Sequence, residues 1–126
     1  METTEKRKKG LLEAEISKAL TQWEKEYFGR GSVQVKSDIL RNMIIVQLQG
    51  ILTPAEKELT KSETGLLSIK KIRSDLIETG NKQLKDLIYS LTNEQVESFH
   101  TDISTRNGER IIVFILQDNL EKKLAE

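Results

Sequence analysis

In EYFGRGSVQV, Glu26 to Val35, the chain changes its period. Upstream, Leu12, Ile16, Ala19, Leu20, Trp23 and Tyr27 recur at spacings of three and four. Glu13, Glu15, Lys18, Glu24 and Lys25 fill the other positions, so the spacing predicts an amphipathic helix over Leu11 to Phe28. Downstream, Val33 and Val35 alternate with Gln34 and Lys36, the period of a strand. Between them stands Gly29-Arg30-Gly31. A loop that cradles phosphate usually precedes a helix, where N–H groups and the dipole favour an anion. These glycines follow a helix, so they read as a helix stop and a turn.

The period of two resumes after DILRN. Ile44, Val46 and Leu48 share one face of a second strand, Met43 and Ile45 the other, and two strands so close should form an antiparallel hairpin. LTPAEKEL, Leu52 to Leu59, then opens a helix. Thr53 is its cap, Pro54 suits the first position, and Glu56 completes a capping box. This helical segment should reach about Lys61, with Gly65 marking a kink or break. From Leu66 a stripe continues through Ile69, Ile72, Leu76, Leu84, Leu87, Ile88 and Leu91, with Gly80 on it. A glycine there costs about 1 kcal/mol of helix propensity, which close approach to a neighbouring element would offset. Val96 to Ser104 and Ile111 to Leu116 form a second hairpin, joined through Asn107-Gly108, a pair suited to a tight primed turn. The tail QDNLEKKLAE is expected to form a short frayed helix.

The order is therefore α-β-β-α-β-β. The simplest layered solution is an α+β two-layer sandwich: a four-stranded, largely antiparallel sheet with helices packed on one face. One domain is expected over 11–117, after a flexible basic tail over 1–10 and before a polar tail over 118–126. Strands two and four are apolar on both faces. Their second faces predict self-association, as a homodimer, with Gly80, Leu84, Ile112 and Phe114 as candidate interface residues.

Bulk properties narrow the function. The 126 residues include 20 Lys or Arg and 20 Asp or Glu, so no net field draws the chain to nucleic acid or an acidic membrane. Hydrophobic content of 37% is modest but patterned, unlike a disordered chain. Cysteine is absent, which excludes disulfides, thiol nucleophiles and iron–sulfur clusters. The longest apolar runs, MIIV and IIVFIL, fall far short of the ~20 residues of a membrane span. The N-terminus lacks the apolar core of a signal peptide. A cytoplasmic protein is expected.

Few residues look chemical. His100 and Asp102 share a strand face and could orient a general base, but they lack a nucleophile or further metal ligands. Lys6 to Lys9, KRKK, is short and flanked by glutamates, and reads as a solvated tail. Phe99 and Phe114 belong to a core, not to a stacking platform for bases. No catalytic, cofactor or metal residue is assigned. Arg30, Arg41 and Arg73 are the candidate contact residues for an anion or an acidic partner.

With those residues in view, the chain resembles the small bacterial MpsC family, a domain of unknown function. The likeness lies in YFGRG after the first helix, the V-x-V strand, a second strand ending at Gly50, LTPAEKEL, a long helix and GERIIVFIL. It spans roughly Ile16 to Leu116. The resemblance implies association with a sodium-translocating, membrane-potential-generating system whose other parts resemble ion or inorganic-carbon uptake machinery. It implies a soluble partner and brings no catalytic residues. The function expected is a non-enzymatic accessory or regulatory protein, cytoplasmic or peripheral to a membrane through a partner such as a transport complex. A small-molecule or nucleotide sensor is the alternative, and a nucleic-acid module using KRKK a weaker one.

Overall fold

The structure, a computed structural model, describes residues 4–126. The chain runs α1 (Thr4–Phe28), β1 (Gln34–Leu40), β2 (Met43–Gln49), α2 (Pro54–Leu59), α3 (Glu63–Thr79), α4 (Asn81–Thr92), β3 (Val96–Ser104), β4 (Glu109–Leu116) and α5 (Leu120–Leu124). The strands form one sheet in the order β1-β2-β4-β3, antiparallel throughout. This is the α+β two-layer arrangement that the sequence predicts.

Strict alternation sets the layers. On β2 and β4, Ile44, Val46 and Leu48 face inward with Ile112, Phe114 and Leu116. Ile16 and Leu20 from α1, Ile69 and Ile77 from α3, and Leu84 and Ile88 from α4 complete the core against them. The edge of β1 is partly closed by α1, where the Glu13 carboxylate accepts from the Ile39 N–H at 2.7 Å.

Helix α1 begins at Thr4, seven residues ahead of the expected start at Leu11. KRKK is therefore helical, and Lys9 reaches the Glu121 carboxylate of α5 at 2.7 Å. That ion pair raises the Lys9 pKa and lowers that of Glu121. Leu120 is buried in the core beside it.

The first break in the crossover falls ahead of Gly65 and the second falls at Gly80. Thr53 caps α2 with the full capping box, as LTPAE predicts. The next helix is capped by Ser62, so Gly65 lies inside α3, not at its break. A Cβ there would stand 2.0 Å from the Leu59 carbonyl oxygen, so glycine lets α2 and α3 meet. Gly80 separates α3 from α4 beneath Trp23 and Tyr27 of α1. A Cβ at Gly80 would lie 2.7 Å from Trp23 Cζ2. That indole is stacked on Tyr27 at 4.6 Å and donates to Gln83 at 2.9 Å, so it cannot swing away freely. Gly80→Ala should lower stability by roughly 1–3 kcal/mol, the cost of overpacking, read as a lower urea midpoint at unchanged slope. An unchanged midpoint would mean that α1 is not held against this junction.

Both hairpin turns refine expectation. The β1–β2 turn is only Arg41-Asn42, with Arg41 at a left-handed φ of 56°. The β3–β4 connection is a four-residue loop, 105–108, in which Gly108 alone takes a positive φ, 63°. A tight primed turn would need Asn107 left-handed as well. The longer loop instead lets the Gly108 carbonyl accept from Ile51 N–H at 3.0 Å.

Candidate functional site

Two features stand out: a buried charge cluster at one end of the sheet, and the uncovered sheet face.

The cluster forms where α1 stops. Gly29 takes a φ of 86°, the left-handed close of a helix. Ser32 then donates its N–H at 3.1 Å and its hydroxyl at 2.7 Å to the buried Glu24 carboxylate, one turn back in α1. Glu24 thus supplies the anion for the turn itself. The GRG segment is a helix stop, not a phosphate cradle.

Arg30 and Arg73 converge just beyond. Arg30 donates to the Gly50 carbonyl at 3.2 Å and Arg73 to the adjacent Ile51 carbonyl at 3.0 Å. Arg73 also holds Glu56 at both oxygens, 2.6 and 3.0 Å, and lies 5.4 Å from the Phe28 ring centroid. For Glu56, burial pushes the pKa up but is outweighed by the Arg73 bond and the Thr53 N–H, leaving it lowered. Arg41 does not join them. It sits at the far end of the sheet, where its N–H donates to Glu121 Oε1 at 3.0 Å and its carbonyl accepts from Glu121 N–H at 3.1 Å.

Arg110 was missed. It is 4% exposed and donates to Thr101 Oγ1 at 2.8 Å and to the Arg73 carbonyl at 3.1 Å. Burial, reinforced by the neighbouring Arg73 charge, brings its pKa down to about 10. Glu24, Arg73, Arg110, Trp23 and Phe28 line a small enclosed cavity with about 10 Å3 of room for the centre of a water molecule. That volume suits about one water and excludes a nucleotide. Strand parity carried the signal: Arg110 shares its face with Ile112, Phe114 and Leu116, as Glu24 shares a stripe with Ile16 and Leu20.

The four candidate interface residues need correcting. Gly80, Leu84, Ile112 and Phe114 are all buried within the chain, the last three at 0–1% exposure. Ile112 and Phe114 belong to the core because the helices cover that face of the sheet, Leu84 because it lies on the inner side of α4, and Gly80 because Trp23 and Tyr27 cover it.

The opposite face carries the other parity. Reading across the strands in register, its rows are Leu40–Met43–Ile115–Ser98, Asp38–Ile45–Val113–His100, Lys36–Gln47–Ile111–Asp102 and Gln34–Gln49–Glu109–Ser104. Met43, Ile45, Ile111, Val113 and Ile115 are half-buried by one another, and among the described residues no helix is laid over them. His100 and Asp102 belong to this face. His100 Nε2 lies 3.3 Å from Ser98 Oγ, and Asp102 is 4.0 Å from Lys70 Nζ. Among the described residues, no group of three or more His, Cys, Asp or Glu is placed to hold a metal ion. Nor is any helix long and apolar enough to cross a membrane.

The architecture defines a small α+β sheet-and-helix protein. The chain belongs to the family described as Na+-translocating membrane potential-generating system (MpsC), which matches residues 8–118. It is 60% identical over 121 residues to the uncharacterized protein YbcI of Bacillus subtilis (strain 168), covering 96% of this chain and 98% of that protein. No solved structure matches.

Proposed function

We propose that this is a non-enzymatic accessory protein that works through contacts with other proteins, cytoplasmic and associated with a membrane ion- or inorganic-carbon-transport system. The observation that carries the reading is the uncovered apolar sheet face, centred on Ile45, Ile111 and Val113. A contiguous apolar face on a sheet is a feature that protein contacts cover. The helical layer adds exposed Ile72 and Leu76, one turn apart on α3. The family's description supplies the direction toward a membrane system. The polar cluster supports the same reading: its charges are engaged with one another and with backbone carbonyls, and its enclosed space is too small for a nucleotide.

The test is affinity purification of the tagged protein from gently solubilised membranes, with partners identified by mass spectrometry. Membrane transport subunits should be recovered with the wild type and lost with Ile72→Glu, whose side chain is already exposed in the free protein. Recovery of no membrane subunit by the wild type would overturn the association.

A further inference from the structure

We infer that the uncovered sheet face binds a second copy of this chain, packed face to face about a two-fold axis that runs parallel to the strands. The inference rests on the reading that this face is a protein contact and names its occupant.

The axis follows from the residues in each row. A two-fold axis along the strands lays β1 of one copy over β3 of the other and leaves each row facing itself in reverse. Lys36 then meets Asp102 of the second copy, and Asp38 meets His100. In the middle, Ile45 meets Val113, Met43 meets Ile115, and Gln47 meets Ile111. Apolar groups face apolar groups in the Met43 and Ile45 rows, Ile111 lies against the Gln47 side chain, and the opposite charges of Lys36 and Asp102 face each other at both edges. Lys36, Asp38, His100 and Asp102 are all exposed in the single chain, so their partners are still to be supplied or improved. Asp102 accepts from the Ile103 N–H at 2.8 Å, and the nearest cation, Lys70 Nζ, stands 4.0 Å away.

A two-fold axis across the strands serves less well. Centred between the middle rows, it would set Met43 over Gln49 and Ile115 over Glu109. Centred on the Ile45 row, it would set Asp38 against itself. Sheets that stack as aligned sandwiches do so at about 10 Å and within about 30°, and the long Lys36 side chain spans the resulting offset at the edges.

Size sets the expected strength. Four strands at ~4.8 Å spacing, each about seven residues of ~3.3 Å rise, present a footprint of roughly 450 Å2 per copy. A pair therefore covers about 900 Å2, at the weak end of specific interfaces, and a micromolar dissociation constant is expected.

Sedimentation equilibrium over ~1–200 µM protein would test this, a range that brackets a micromolar constant. The wild type should pass from monomer to dimer, and Lys36→Asp should weaken association at least tenfold. The double variant Lys36→Asp/Asp102→Lys should return it to near the wild-type value, with circular dichroism confirming the fold of each. Val113→Glu, in the middle of the face, should leave a monomer. A wild type that stays monomeric to the top of the range would overturn the inference. So would rescue of Lys36→Asp by Asp38→Lys in place of Asp102→Lys, since that pairing belongs to the other axis. A monomer that still recovers membrane subunits would sink the inference and leave the accessory role standing. A dimer that recovers none would do the reverse.

Discussion

Phe114→Ala should destabilise the isolated chain by roughly 3–5 kcal/mol, the usual cost of emptying a buried aromatic site. Phe114 is fully buried on β4, pairs across the sheet with Ile44 on one side and Phe99 on the other, and keeps a tilted ring contact with Phe99 at 5.5 Å. Its neighbours come from strands on both sides and from a helical layer above, so little can collapse into the space. At a urea m-value of about 2 kcal/mol/M, the midpoint would fall by about 2 M. Had Phe114 belonged to an interface, the loss would appear in association and depend on protein concentration. A concentration-independent drop places it in the core; a drop under about 1 kcal/mol would contradict the packing described.

Glu56→Ala is the second large effect. One carboxylate completes the capping box of α2 and holds Arg73 of α3 at two oxygens, while Arg73 also binds the Ile51 carbonyl. The side chains of the pair are 22% and 13% exposed. The pair thus lies between a surface bridge worth under about 1 kcal/mol and a buried one whose rupture costs about 3–5. With the lost cap, roughly 2–3 kcal/mol is expected. Acidity gives an independent check. The folded pKa of Glu56 is lowered from 4.5, so its contribution is fully present above that value and fades as pH falls through the folded value. The stability gap between wild type and Glu56→Gln should therefore be constant near neutrality and close as pH falls below 4.5. A gap that widened on acidification would refute the assignment.

Much of this was legible in the chain because period and punctuation are local. The change of period at FGRG, the LTPAE cap and the alternation in IIVFIL each specify an element with little outside help. Which face of a doubly apolar strand meets the helices is not a local matter. Ile112 and Val113 look equally suited to burial, and only the placement of α1, α3 and α4 separates them. Hence Phe114, Ile112 and Leu84 read as interface material until the helices are placed. The arginines divide similarly. Arg30 and Arg73 meet because a hairpin and a crossover return to one end of the sheet, while Arg41 rides the opposite turn. Arg110 and Glu24 could have been found sooner, since a charge on an apolar stripe is visible in sequence. Their shared cavity could not.

The strand order also has a temporal side. β4 is the last strand in sequence yet the bridge of the sheet, pairing Met43 with Ile115 and Val96 with Leu116. Until it emerges during synthesis, the β1–β2 hairpin and β3 have nothing to join them, and β2 keeps an open edge of Ile and Val. The pairings that unite the halves are distant in sequence, which places the domain among slower folders. Assembly is thus a late event for this chain: 108 of its 126 residues precede the strand that unites the sheet.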